Sequence, residues 1–192
     1  VDLAPVGEQL GPARDPRPLR GHEETPLGRD VELDQKATVT VDGDNLTVDH
    51  AGSSPESRYG INVVLNYTHA YASFAMKAVF APEVPHNEGS FRPVHVTAPP
   101  GSILNAQPPA AVGSRHIIGH FLPSVIFAAL APVLPERLLA GGADSVWLNV
   151  IRGRLAGGDW FSLSLFQAGG TGARATKDGL SATGFPTGVA GV

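Results

Sequence analysis

Between Val31 and Gly52 the chain alternates apolar and polar positions, as VELDQKATVTV, then DGDN, then LTVDHAG. Val39 and Val41 fall on one face against Thr38 and Thr40, the period of two expected of strands. Asp42-Gly43 supplies turn residues that tolerate positive φ, so the stretch is expected to form a β-hairpin. SSPESRYGIN (53–62) is a polar connection. The spacing then becomes helical over 66–80, where Tyr67, Tyr71, Phe74 and Ala78 share a face joined by Ala70 and Ala75, and Pro82 stops it. PHNEGS (85–90) is expected as a turn and FRPVHVTAP (91–99) as a strand, with Pro93 placing it at a sheet edge. A second helix is expected over 117–131, with Ile118, Leu122, Val125, Ile126, Ala129 and Leu130 inward. Pro123 requires that helix either to begin near Leu122 or to kink. WFSLSLFQA (160–168) alternates Trp160, Ser162 and Ser164 against Phe161, Leu163 and Leu165, as a strand with one buried face does. The sum is a mixed, loop-rich α+β domain. Residues 1–30 read as an extended arm or linker, since five prolines and four glycines fall within the first 28 positions. Residues 31–192 carry the fold.

Composition narrows the function. The chain has 192 residues, 42% of them apolar, enough for a buried core. Its net charge is -4 and its 14 basic residues are scattered. A nucleic-acid-binding face would need a basic stripe, so that class is set aside. Cysteine is absent, which excludes disulfides, thiolate catalysis and Cys-based metal sites and fits a cytoplasmic address. The start, VDLAPVGEQLGP, lacks the basic flank and apolar stretch of a signal peptide. The longest apolar run, FLPSVIFAALAPVL (121–134), is too short for a membrane span.

Several constellations invite chemical readings. Gly170-Thr171-Gly172-Ala173-Arg174-Ala175 matches G-x-G-x-x-[G/A] after an expected strand. A dinucleotide site also needs a helix opening in that loop and an acidic residue about twenty positions on. Residues 176–192 supply neither, and no Walker A sequence occurs. No cofactor-binding residue is therefore assigned. A backbone nest with Arg174 and Lys177 aimed at a carboxylate is one reading, and a glycine turn near an interface is the other. His116 and His120 stand four apart, a spacing that suits metal ligation on a helix, but HIIGH lacks the carboxylate of H-E-x-x-H. Hydrogen-bonded helix-start histidines are the competing reading, and no metal ligand is assigned. Asp49 and His50 are adjacent on a strand, so they point to opposite faces and cannot both serve one serine of Gly52-Ser53-Ser54. Asp49 can instead cap the following turn. Asn87-Glu88-Gly89 followed by Arg92 can form a bidentate ion pair around a turn or present a charged edge to a substrate. Asp144 and Asp159 carry no usable pattern.

The order of four separated blocks adds a resemblance. VTVDGDNLTVDHAGSSPESRYGIN, VFAPEVPHNEGSFRPVHVTAPPGSILNAQPPAAV, IGHFLPSVIFAALAPVLPER and QAGGTGARATKDGLSA together resemble the hydantoinase B/5-oxoprolinase family. The same pattern occurs in the large subunits of acetone and acetophenone carboxylases. The resemblance runs from about Val31 to Val192. The matching positions are Asp49, Gly52, Ser54 and Pro55 in the first block, then Asn87, Glu88, Gly89, Arg92 and Pro93, followed by Asn105, Pro108 and Pro109. The last block adds Gly169, Gly170, Gly172, Arg174, Asp178 and Gly179. His50 stands where the family has an aromatic residue, and Pro123 where it often has a polar or charged one.

The resemblance implies a partner, a hydantoinase A-type subunit that binds ATP with Mg, and hence a hetero-oligomer. It also implies a divalent metal in the complete B-type subunit, whose His and Asp ligands lie in an N-terminal block resembling NDPYxGGTHLPD. This chain contains no such block and looks like part of the family domain. The expected function is that of part of the B-type subunit of an ATP-dependent cyclic-amide hydrolase, with Asp49, Asn87, Glu88, Arg92, Arg174 and Asp178 as candidate site residues. Two alternatives stand beside it: a subunit of a biotin-independent ketone carboxylase, and a truncated non-catalytic interaction module.

Overall fold

The structure, a computed structural model, describes residues 19–24, 30–144 and 146–183. Two compact units divide the chain, Val1–Leu138 and Leu139–Val192.

In the first unit, β1 (Leu19–Glu24) pairs antiparallel with β2 (Asp30–Gln35) in a register from Leu19↔Gln35 to Glu24↔Asp30. A paired strand thus occupies part of the stretch expected to be an arm. Beyond Lys36 and Ala37 the expected hairpin forms as β3 (Thr38–Asp42) and β4 (Asn45–Asp49), with Gly43 at φ +55° in the turn. Residues 31–35, expected in that hairpin, belong to the other sheet. A third strand, β5 (Val94–Thr97), runs parallel to β4 at the sheet edge, giving the order β3-β4-β5. The edge position suits Pro93: its lone C=O accepts from Leu46 N–H at 2.8 Å, and no donor is missed there.

Helix α1 (Leu65–Phe80) covers the expected span, but its buried face is a different one. Thr68, Ala72, Ala75, Met76 and Val79 are inward, while Tyr67, Tyr71 and Phe74 are only partly buried and Ala78 is exposed. Small inward residues let the helix backbone approach the helix over 122–130 and β5 closely, which an aromatic stripe would prevent. Thr68 Oγ1 donates to Leu104 C=O at 2.6 Å. Lys77 is buried in the last turn, yet its ammonium donates to the carbonyls of Ala81 and Val84. A cation there also opposes the negative end of the helix dipole. The expected turn at 85–90 contains a one-turn helix, α2 (Glu88–Phe91). The expected second helix is broken into α3 (His116–Gly119) and α4 (Leu122–Leu130), and α4 begins at Leu122 with Pro123 in its first turn. Proline is favoured there because the first-turn N–H groups lack intrahelical acceptors.

Val39, Val48 and Val94 from the sheet are buried, as are the inward faces of α1 and α4. A second buried cluster, Ile61, Val63, Ile103, Leu104, Ile118 and Leu122, joins the loops that follow β4 and β5 to the helices.

The second unit is built on a long antiparallel ribbon, β6 (Val146–Arg154) and β7 (Trp160–Ala168). β7 has the expected bounds and β6 was not expected. The single buried face inferred for β7 is not observed. Leu163 and Phe161 on one face and Trp160 and Phe166 on the other are all exposed, Trp160 by 70%. Arg154 lies over the Trp160 ring at 4.5 Å. No helix among the described residues is long and apolar enough to cross a membrane.

Candidate functional site

Parallel pairing of β4 and β5 sends the loops after both strands out at one end of the sheet. Residues 50–64 and 98–115 are zipped together there. Ile103 N–H donates to Ser54 C=O at 2.8 Å, Glu56 N–H to Gly101 C=O at 2.9 Å, and Val63 N–H to Ile103 C=O at 2.8 Å. Two amides hold the loops in shape. Asn62 is fully buried; its Oδ1 accepts from Ser57 N–H at 2.6 Å, and its Nδ2 lies 2.8, 2.9 and 2.9 Å from the carbonyls of Ser57, Tyr59 and Ala111. Asn105 donates to Ala98 C=O at 2.7 Å. Both serines of the Gly52-Ser53-Ser54 segment bind backbone. Ser54 Oγ accepts from Asp34 N–H at 2.9 Å and Ser53 Oγ from Lys36 N–H at 3.0 Å. Each is tied to main chain rather than poised for attack.

Asp49 and His50 diverge as strand geometry demands. Asp49 Oδ1 accepts from Thr97 Oγ1 at 2.8 Å and from Ala51 N–H at 3.2 Å, closing the turn after β4. His50 is buried, with Nδ1 2.7 Å from Lys36 C=O. A carbonyl only accepts, so Nδ1 carries the proton and Nε2 is a bare acceptor, buried with no hydrogen-bond partner. Burial holds the His50 pKa below its ordinary value, against smaller opposing effects of the Lys36 carbonyl and the Asp49 charge.

The structure does not bring the candidate residues of the first unit together. Asn87, Glu88 and Arg92 precede β5 and lie at the opposite end of the β4–β5 pair from Asp49. Asn87 is the N-cap of α2: its Oδ1 accepts from Ser90 N–H at 3.0 Å, and Ser90 Oγ accepts from Asn87 N–H at 3.2 Å. That reciprocal pair is a capping box. Glu88 and Arg92 are joined by a backbone bond, Arg92 N–H to Glu88 C=O at 3.1 Å, and both side chains are exposed, in place of a bidentate ion pair.

Arg174 and Asp178 belong to the second unit. Its glycine loop is a stack of three close backbones. Ala140 N–H donates to Ala173 C=O at 2.8 Å, and Thr171 N–H to Leu180 C=O at 2.9 Å. A Cβ on Gly172 would collide with the Ala140 carbonyl, and one on Gly179 with the Thr171 carbonyl. These glycines are explained by backbone proximity. Arg174 N–H bonds Lys177 C=O at 2.8 Å, and its guanidinium donates to Asp178 C=O at 3.2 Å. The described residues after Gly169 form no helix.

One cluster is invisible to sequence patterns. Tyr67 and Tyr71, one turn apart on α1, stack at 4.4 Å between ring centroids. His120 meets Tyr71 edge-on at 5.9 Å, and His116 lies 6.4 Å from His120. A Cβ on Gly119 would strike the Tyr67 ring, so glycine is what lets α3 close on α1. Burial foremost, then a hydrogen bond with Tyr71, pushes the Tyr67 phenol pKa up. Burial, then the Arg115 charge, pushes the His116 imidazole pKa down. The sequence shows the histidine spacing, but its periodicity only places the tyrosines on one helix face. Among the described residues no group of three or more His, Asp or Glu could hold a metal ion.

The profile of the hydantoinase B/oxoprolinase family matches residues 19–190, so the chain belongs to that family, and the match starts before the resemblance read from Val31. The B-type subunit of a putative D-/L-hydantoinase from Pseudomonas sp. (strain NS671) is 30% identical over 164 residues, which are 82% of this chain and 27% of that protein. The chain thus spans about a quarter of the length of such relatives. Among solved structures, the ATP-dependent caprolactamase from Pseudomonas jessenii aligns with a TM-score of 0.70 at 24% identity, over 88% of this chain and 31% of that one. Acetone carboxylase in its nucleotide-free form aligns with a TM-score of 0.66 at 23% identity, over 82% and 22%. Both share the fold.

Proposed function

We propose that this chain is part of the B-type subunit of an ATP-dependent hydrolase of cyclic amides, in a hetero-oligomer with an A-type subunit that binds ATP with Mg. The observation that carries the reading is the family match over 19–190, supported by the Pseudomonas hydantoinase relative. In this reading the chain's contribution is positional. The loops fixed by Asn62 and Asn105 present Asp49 and the helix starts at one end of the sheet, and the ribbon unit holds Arg174 and Asp178 in a rigid glycine-spaced turn. These elements shape the substrate site or the seam between subunits, and phosphoryl chemistry belongs to the partner. The described residues offer no donor set that fits a divalent ion.

Reconstitution tests this directly. The complete subunit, co-expressed with its A-type partner, is expected to consume ATP when given hydantoin, 5-oxoproline or ε-caprolactam. ATP consumption that instead required a ketone together with bicarbonate would replace the hydrolase reading with the carboxylase one. A partner-bound complex inert toward every substrate would favour an interaction module.

A further inference from the structure

We propose that the β6–β7 ribbon is an inner hairpin of the complete subunit. Further elements of the same polypeptide cover its uncharged face and the half of its other face that lies away from the turn. This rests on reading the chain as part of a longer B-type subunit and identifies a surface through which the parts of that subunit join.

The two faces of the ribbon differ in chemistry. Residues directly opposite in an antiparallel pair share a face, so Asn149 and Leu165, Ile151 and Leu163, and Gly153 and Phe161 lie together. None of the six is ionisable. Ile151 and Leu163 are each 48% exposed, and Phe161 is exposed beside them. A Cβ on Gly153 would strike the Phe161 ring, so the ring lies across the glycine and carries the apolar surface toward the turn. The other face is divided. Leu148, Val150 and Phe166 are exposed at the end away from the 155–159 turn. Toward the turn come Ser162, Arg152 and Arg154, and the Arg154 guanidinium already lies over Trp160.

Such a ribbon does not suit water on both sides. Among the described residues no third strand joins β6 and β7. A two-stranded ribbon is marginal in water by itself and gains independent stability by packing its apolar face. Contiguous large apolar side chains on a surface mark a place where another element docks.

Two observations select the occupant. The first is that apolar side chains stand on both faces. Strands buried on both sides belong inside a core, whereas a separate subunit docking on one patch meets a surface about as polar as the rest of the protein. The second is length. The Pseudomonas hydantoinase subunit matches this chain over 27% of its own length, and the caprolactamase shares the fold over 31% of its chain. In both, most of the polypeptide lies outside the matched part and is continuous with it, available to pack on the ribbon from two sides. The charged, turn-proximal half of the second face, with Arg152, Arg154 and Trp160, is left to solvent.

Maleimide labelling of the complete subunit, dilute and without its A-type partner, tests this. Leu163→Cys and Phe166→Cys place a thiol on the two covered surfaces, Arg152→Cys places one on the open surface, and peptide mapping reads each site. Compared with the same subunit unfolded in urea, the first two are expected to label about a hundredfold more slowly and the third within about threefold. Hydroxyl-radical footprinting of the wild-type subunit needs no substitution and is expected to spare Phe161 and Leu163 while modifying Trp160. Labelling of Leu163→Cys as fast as Arg152→Cys, with footprinting in agreement, would overturn the inference. Protection that appears only with the A-type partner would give the face to that partner, and protection lost on dilution would give it to a second copy; either result equally overturns it. ATP turnover on cyclic amides in the same preparations keeps the two readings apart. An active complex with an open ribbon sinks this inference alone, and a protected ribbon in a complex inert toward cyclic amides supports it while removing the hydrolase reading.

Discussion

Replacing Asn62 with alanine is expected to cost about 3 kcal/mol of folding stability. No water-exposed route compensates the loss, because the side chain is fully buried and its amide serves four backbone groups at once. Removing it strands the Ser57 N–H and leaves the carbonyls of Ser57, Tyr59 and Ala111 without their shared donor. Each buried group left unsatisfied costs about 1–3 kcal/mol, and partial relaxation of the loops recovers some of the total. Asn62→Asp retains the acceptor for Ser57 N–H but replaces the donor with a buried charge facing carbonyls, so it should be at least as damaging. Urea denaturation of the complete subunit measures both. A loss below about 1 kcal/mol for the alanine variant would mean that the loops are held by other contacts.

The second large effect is on pH dependence. In the folded state the His50 pKa lies below 6.5 because burial disfavours the imidazolium. The unfolded chain binds that proton as pH falls past the ordinary value while the folded chain refuses it. His50 therefore contributes stability that is complete above pH 6.5 and declines as the solution is acidified toward the lowered folded pKa. His116 shifts in the same direction, so the wild-type slope contains both. His50→Asn isolates the first: its amide can still donate to Lys36 C=O, but it does not titrate. Denaturation midpoints measured between about pH 7.5 and 5 should fall more steeply for wild type than for the variant. Parallel slopes would contradict the buried neutral tautomer.

These two residues also show where sequence is informative and where it is silent. The β3–β4 hairpin, the span of α1 and the edge position of β5 follow from local patterns, alternation, helical spacing and the restricted chemistry of proline, while for α4 Pro123 leaves a start near Leu122 and a kink both open. Which face of α1 is buried does not follow from them. Periodicity favours the larger side chains, whereas close helix packing selects Ala72, Ala75 and Thr68. β7 shows the same limit, because alternation fixes which residues share a face but not whether another element covers it. β6 and β1 have no legible signal, the latter because proline- and glycine-rich surroundings mask a short strand. At the candidate site, the motif positions Asn87, Ser54 and Gly172 stand out in the sequence, and each turns out to satisfy or accommodate backbone. Asn62 sits in a polar connection that gives no periodic signal, and only the fold reveals it as a hub. His116 and His120 are visible by spacing, but their tyrosine partners become recognisable only when α3 closes on α1.

That this polypeptide positions a substrate while nucleotide chemistry takes place on a companion is tested most directly by equilibrium binding of ATP with Mg. The measurement is made with the complete subunit alone and again with its A-type partner. Saturable, stoichiometric binding is expected only when the partner is present. Tight one-to-one ATP binding without the partner, abolished by Arg174→Ala, would contradict it.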